Sequence, residues 1–334
     1  MLITSPGHTW VTDLGRLSGA RSGVPANGAM DHFSARTANI LVGNDEAAPL
    51  LETLAVAVEF LAQCDLLLAV TGAECELRID GALAPLWAPV SARAGQAVSV
   101  GPARKGLRSY VAVRGSLDVP YLLGSCAPDT MVGFGTRLRA GDVLSGARPT
   151  APLAHPVFRM PVMRLPVEPP ALDDEPVIPV TDGPDHAEFG ATASLLYRGS
   201  FAVSDRSNHV GLRLSGELPT RLATGEVLSR GVPIGAIEVP SSEGLLVLHR
   251  GRGVTAGYPV LAVLTSVGLD QIAQVRPGSQ VRFRRVSITE ARDAVLAQHH
   301  VLSRLRRAVR TVLAAHGASL EPIATSTERE LSAV

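Results

Sequence analysis

A chain of 334 residues, 46% of them hydrophobic, is long enough to bury a substantial core and to form two domains. Lys plus Arg and Asp plus Glu balance at 31 each, so no net field draws the protein to nucleic acid or to an anionic membrane. Three cysteines, Cys64, Cys75 and Cys126, without a C-x-x-C pair argue against a disulfide framework and for a reducing compartment.

The opening "MLITSPGHTW" has no basic region followed by an apolar run, and no apolar run approaches the ~18 residues that span a bilayer. The sequence therefore reads as soluble and cytoplasmic. The first periodic element follows the loop "GVPANGAMD" (23–31). Phe33, Thr37 and Ile40/Leu41 recur at helical spacing, and Gly43 supplies a left-handed stop. Short runs bounded by Gly, Pro or Asp come next: "LLLAVTG", "CELRID", "AVSVG" and "SYVAVRG". They read as strands of a barrel or sandwich. Ten of the 24 prolines then fall between Pro149 and Pro184. Proline removes backbone donors and extends its neighbours, so residues 151–180 read as a linker. The strand pattern resumes in "GAIEVP", "GLLVLHR", "VLAVLTS" and "QVRFRRV", after a short helix near "GATASLLYR".

A long helix is expected from Ser287-Ile288-Thr289-Glu290, a capping-box pattern. Its apolar positions Val295, Leu302, Leu305, Val309 and Val312 recur at three- and four-residue steps to Gly317. This stripe suits packing on the body or pairing with a partner helix equally well. The divisions expected are a first domain over 1–150, the linker, a second domain over 181–288, the helix over 289–317 and a flexible tail over 318–334. "RAGQAVSV" (93–100), "RPGSQVRF" (276–283) and "RAGDVL" (139–144) repeat an Arg-x-Gly turn, a hint that the halves are related barrels.

Few motifs carry chemistry by themselves. Nine histidines are scattered, without H-E-x-x-H, and adjacent His299 and His300 diverge by ~100° on a helix, so no metal site is expected. Neither a G-x-x-x-x-G-K-[ST] phosphate loop nor a G-x-S-x-G elbow is present. The Gly-x-Gly of "VGFGTR" reads as a bend rather than a phosphate cradle.

A longer series of motifs goes further. "TDLGR" (12–16), "GAMDHFSARTANILVGN" (28–44), "VTGAE" (70–74), "RSYVAVRGSLDVP" (108–120), "LGS" (123–125), "RGVPIGAIEVP" (230–240) and "TAGYPVLA" (255–262) occur in this order. The series resembles the allophanate hydrolase subunit 2 family, which includes the KipA protein and the C component of 5-oxoprolinase. That family is similar to part of the biotin-dependent carboxyltransferase region of urea carboxylase. The resemblance covers residues 1 to 290 or so. It implies a mainly β fold of two cyclophilin-like β-barrels in tandem. It also implies a hetero-oligomeric partner, the B component (KipI-like, allophanate hydrolase subunit 1), and a third, A component in the 5-oxoprolinase system. ATP with Mg would belong to the assembled complex, with no cofactor held by this chain alone.

The sequence departs from the family pattern at three places. Members read Asp-Arg-Gln-Thr-Thr-Gly-Gly-Tyr-Pro where this chain has Gly251 to Pro259, keeping Arg252 and Tyr258. Members read Ser-Asp-Arg-Met-Gly where it has Ser207-Asn208-His209-Val210-Gly211. Cys126 stands where an Arg is usual. These replacements remove polar groups and leave the fold untouched.

The site candidates follow from residue chemistry. Asp31 is an N-cap, a catalytic acid/base, or both. Asn27, Gly28 and Arg36 flank it, and Gly28 permits close backbone approach to a ligand. Arg252 can bind a carboxylate with two parallel hydrogen bonds, or sit solvated at a strand end. His209 is an acid/base near neutral pH or a structural histidine. Tyr258 is a substrate contact or a barrel residue with a satisfied hydroxyl. Asp185 and His186 read as a turn and helix cap. Three functions follow from the resemblance. They are the C component of an ATP-dependent 5-oxoprolinase, a urea- or allophanate-type carboxyltransferase component, and a non-catalytic regulatory protein of the KipA kind.

Overall fold

The computed structural model describes residues 1–135, 137–148, 165, 167–240 and 244–316. These residues are mainly β and divide into two compact units, each discontinuous in sequence. The first comprises Met1–Arg16, His32–Ala171 and Gln298–Val334; the second comprises Leu17–Asp31 and Leu172–Ala297.

The first unit holds ten strands: β1 (Leu2–Ser5), β2 (Thr9–Thr12), β3 (Leu50–Leu54), β4 (Val58–Leu61), β5 (Leu66–Glu74), β6 (Leu77–Ile79), β7 (Ala82–Ala84), β8 (Pro89–Ala92), β9 (Ala97–Val100) and β10 (Lys105–Val113). They form two five-stranded sheets, ordered β1-β4-β9-β6-β7 and β2-β3-β10-β5-β8. Ile3, Phe60, Val98 and Val100 from one sheet and Leu51, Val70, Val111 and Val113 from the other fill a single core. The helix expected after Asp31 is α1 (His32–Leu41), packed on β5 and β10. It is buried over eight of its ten residues rather than along one stripe. Thr37 Oγ1 donates to Phe33 O at 2.7 Å, and Thr71 Oγ1 to Ser34 O at 2.7 Å, so its polar side of small residues is satisfied inside. Gly43, at φ 77°, ends it as expected.

The second unit is built on β11 (Val177–Asp182), β12 (Phe201–Val203), β13 (Gly211–Ser215), β14 (Arg230–Gly231), β15 (Ala236–Glu238), β16 (Leu245–Leu248), β17 (Thr255–Ala256), β18 (Val260–Leu264) and β19 (Gln280–Arg285). Seven of these close a barrel in the order β11-β18-β15-β16-β13-β12-β19. Parallel pairing of β11 with β19 completes the circle. Its interior holds Ile178, Val180, Phe201, Leu214, Ile237, Val247, Leu261 and Phe283. β14 and β17 pair separately as a two-stranded ribbon. The short helix near "GATASLLYR" is a 3-10 turn, His186–Ser194, continuing into α2 (Leu195–Arg198). A further helix, α3 (Ser266–Ile272), is capped by Thr265, whose hydroxyl accepts from Gly268 N at 3.0 Å.

The stretch read as a linker gives up its last residues to β11, where Pro179 is tolerated because its carbonyl still accepts from Thr265 N at 3.1 Å. Most of that proline-rich stretch, and the tail from 318, lie outside the described residues.

The last helix, α4, spans Ile288–Ala315. Its capping box is complete. Ser287 N donates to Glu290 Oε2 at 2.8 Å, and Glu290 N to Ser287 Oγ at 3.1 Å. Leu302, Leu305, Val309 and Leu313 are buried, so the C-terminal half packs within the chain.

The three Arg-x-Gly repeats share one geometry. Gly95, Gly141 and Gly278 all take φ between 84° and 93°. In each, the following residue donates back to the Arg carbonyl: Gln96 to Arg93, Asp142 to Arg139, Ser279 to Arg276. These are type II turns, which need φ > 0 at the third position and hence Gly.

Candidate functional site

The opening loop and the turn after β16 meet inside the second unit. Asn27 takes φ 50° and Gly28 φ 91°. Two successive left-handed residues suit Asn-Gly and few other pairs. They bend the chain so that Asn27 N donates to Arg250 O at 2.9 Å. Arg250 answers through its side chain: Nε donates to Met30 O at 3.3 Å, and Nη2 lies 3.7 Å from Asp270 Oδ1 on α3. The other anchor is Gln274, just past α3, whose Nε2 donates to Asp31 Oδ2 at 2.8 Å. The loop is thus clamped from both sides, and Asp31 is buried immediately before the first residue of α1.

His249 completes the scaffold. Its Nδ1 accepts from Arg250 N at 2.9 Å, and its Nε2 lies 3.3 Å from Leu269 O. One ring nitrogen accepting and the other facing a carbonyl fits a neutral imidazole protonated on Nε2. This buried histidine holds the turn in place, a part the sequence did not reveal.

Gly251 sits where this turn is tightest. Its N donates to His209 O at 3.0 Å. A Cβ there would run into the His209 ring and carbonyl and come within 3.0 Å of Asn27 Oδ1. Two departures from the family pattern, at 209 and 251, therefore meet in space. The structure brings together Asn27, Gly28, Asp31, His209 and the turn bearing Arg252.

Arg252 is 8% exposed, and its Nε has no hydrogen-bond partner among the described residues. The residue's backbone is fixed by donation to His249 O at 3.1 Å. Burial pulls the guanidinium below its ordinary pKa, and among the described residues no carboxylate offsets it. A buried cation of this kind is expensive unless a counter-ion joins it.

The remaining candidates lie elsewhere. Arg36 belongs to the first unit, on α1, where its Nε is 2.6 Å from Glu46 Oε2. Tyr258 is 48% exposed at a bend just before β18, so it is not an inward barrel residue with a satisfied hydroxyl. Asp185 precedes the 3-10 turn without making a side-chain cap bond. Its carboxylate instead accepts from Val260 N at 2.7 Å and pairs with Arg230, because a buried strand-edge amide and a cation satisfy it better than a distorted first turn. Cys126 is buried in the first unit, and burial, then Asp13, pushes its thiol well up, as for an inert core residue. The Gly-x-Gly of 133–135 forms the bend closing the Asp129–Phe134 bridge.

Sequence reasoning missed Arg250, His249, Asp270, Gln274 and Glu238. Arg250 stands two residues before Arg252, and nothing in that spacing marks it as a support. Gln274 had no signal, because its partner lies 243 residues away.

Comparison with known proteins decides the family. The family described as carboxyltransferase domain, subdomain A and B, matches residues 22–285. The chain belongs to the carboxyltransferase family. The 5-oxoprolinase C subunit of Escherichia coli is 32% identical over 317 residues, spanning 91% of this chain and 96% of that protein. Its Haemophilus influenzae counterpart is 29% identical over 304 residues, covering 90% and 95%. Among solved structures, the Kluyveromyces lactis urea amidolyase superimposes with a TM-score of 0.80 at 26% identity, over 90% of this chain and 19% of that one. This carboxyltransferase-family chain thus aligns along nearly its whole length with a separate bacterial protein and with a small part of a much longer enzyme.

Among the described residues, no helix is long and apolar enough to cross a membrane, and no group of three or more His, Cys, Asp or Glu is arranged to hold a metal ion.

Proposed function

We propose that this chain is the C component of an ATP-dependent 5-oxoprolinase-type amidohydrolase, active with a KipI-like B component and a further A component. The observation that carries the reading is Arg252, a buried cation without a counter-ion among the described residues, beside a loop clamped at Asn27 and Asp31. 5-Oxoproline offers a carboxylate to that guanidinium, which binds it by charge-assisted hydrogen bonds. The near full-length alignment with two bacterial proteins named as the C subunit of 5-oxoprolinase supports the same substrate class.

In this reading the ring C–N bond breaks and one water is added. Asp31 takes a proton from the attacking water and delivers one to the leaving nitrogen, within the usual reach of acid/base catalysis. Gln274 holds its carboxylate in orientation. His209, exposed at the rim of the turn, serves as the second proton carrier. In this reading ATP and Mg would be held by the companion proteins.

The similarity to urea amidolyase favours a second reading, carboxyl transfer from a biotinylated partner to urea. The same Arg252 would then receive a carboxylated intermediate. Co-purified complex assayed with 5-oxoproline plus ATP, and separately with urea plus carboxybiotin, separates the two. Turnover of 5-oxoproline whose KM rises in Arg252→Met supports the first. Turnover of urea alone overturns it.

A further inference from the structure

A second buried charge lies away from this loop. Glu238 sits on β15, where the ladder to β18 slips by one residue: Ile237 faces Ala262 but Glu238 faces Val260. Such a bulge re-aims a side chain. Ile237 and Val239 point into the barrel core, so alternation places Glu238 on the outer face with Ala236. That face is not solvent. Val232, Leu248 and Val260 pack there with Ala236, next to the β14–β17 ribbon. Glu238 is 1% exposed, and its Oε1 has no hydrogen-bond partner among the described residues.

Among the described residues one cation acts on it. Arg230, on β14, is drawn electrostatically to Glu238 but is ion-paired to Asp185. Asp185 is tied to the same strand register, because its Oδ2 accepts from Val260 N, the residue opposite Glu238. The other neighbour across the ladder, Leu246 on β16, carries no charge, and the ribbon residues Gly231, Thr255 and Ala256 carry none. Two carboxyls therefore flank one half-exposed arginine. Burial pushes the Glu238 carboxyl up to about 7, with Arg230 pulling it back, so its neutral and charged forms interconvert near neutral pH.

We propose that Arg230 is shared between Asp185 and Glu238, and that loss of one proton from Glu238 draws Arg230 from Asp185 toward Glu238 and moves the β14–β17 ribbon with it. The proton leaves to solvent, and no other group changes state. Asp185 keeps its bond from Val260 N throughout, so the barrel wall stays in place while the ribbon shifts. The proposal concerns this chain alone and stands or falls independently of the substrate reading.

The test uses the full chain without ligand. Carboxyl-carbon NMR follows Glu238 from pH 5 to 9, and amide exchange, corrected for intrinsic rates, follows the ribbon at 230–232 and 254–256. We expect one transition near pH 7 in both, with ribbon protection changing several-fold across it. Glu238→Gln, an isostere of the neutral form, should fix the ribbon in its low-pH protection at every pH. Arg230→Met should keep the Glu238 titration, moved to higher pH, and abolish the change in the ribbon. A Glu238 carboxyl that titrates in the ordinary range overturns the proposal. So does a ribbon whose protection is independent of pH, or keeps its transition in Glu238→Gln.

Discussion

Arg16 in the first unit and Arg252 in the second are both buried, and they are provided for in opposite ways. Arg16, in the first unit, is 1% exposed. Its Nε donates to Leu122 O at 3.2 Å, its Nη2 donates to Ala127 O, its Nη1 lies 3.6 Å from Asp129 Oδ2, and its guanidinium stands 5.7 Å from the Phe134 ring centroid. Asp13 extends the network: Oδ1 accepts from Ser125 Oγ at 2.5 Å and Oδ2 from Cys126 N at 2.8 Å. Burial lowers the Arg16 pKa, and Asp129 and Asp13 both raise it again. Arg252, in the second unit, has burial and nothing among the described residues to oppose it. Removing one member of a buried charge pair leaves the other uncompensated, whereas removing a charge with no partner does not.

The sharpest way to break this comparison is to replace each arginine by methionine. Arg16→Met leaves Asp129 and Asp13 buried without their cation and should cost about 3–5 kcal/mol, read from urea unfolding. Arg252→Met removes a charge that none of the described residues compensates. Its stability should stay within about 1 kcal/mol of the wild type or rise. Equal losses in the two variants would erase the distinction.

Glu238 sharpens the same contrast from the acid side. Its carboxyl is raised to about 7, so the fold favours the neutral form. That contribution is complete below the ordinary value of about 4.5 and is lost as pH rises through about 7. Glu238→Gln should therefore match the wild type near pH 4.5 and exceed it by roughly 3 kcal/mol at pH 8. Denaturant melts at the two pH values check the sign, and a gap that widens toward acid contradicts it.

Gly251→Ala should destabilise by about 1–3 kcal/mol, since its Cβ meets the His209 carbonyl as well as its ring. Pairing it with His209→Ala should recover only the ring's share. The smallest structural effect belongs to Asp31→Asn. The amide oxygen still accepts from Gln274, and Asn caps about as well as Asp, so the melting temperature should barely move. Turnover of the reconstituted complex should fall by ~10²-fold or more if Asp31 moves a proton.

Much of the fold was legible in the sequence because local signals sufficed. The eight apolar runs became strands, among them β5, β6, β9, β10, β15, β16, β18 and β19. The capping box placed the start of α4. The Arg-x-Gly repeats proved to be one turn type used three times. The partition of the chain was less legible. Residues 17–31 group with the second unit although they precede the first helix, and no composition change marks them. The site was half legible. Asn27, Gly28 and Asp31 announce themselves through backbone chemistry, and Arg252 through its motif. Their supports, Arg250, His249 and Gln274, come from more than 200 positions along the chain, where neither period nor spacing reaches. Glu238 looked like an ordinary strand residue, because only the bulge and the covering ribbon make its burial unusual.

The claim on which the functional reading turns is that Arg252 receives the substrate carboxylate. The most direct measurement is 5-oxoproline turnover by the complex reconstituted with its companion proteins, comparing wild type, Arg252→Lys and Arg252→Met. Losing a charge-assisted pair is worth about 2 kcal/mol, so Arg252→Met should raise KM roughly thirty-fold, with Arg252→Lys between and all three proteins equally stable. An unchanged KM in a folded, assembled Arg252→Met complex would contradict the account.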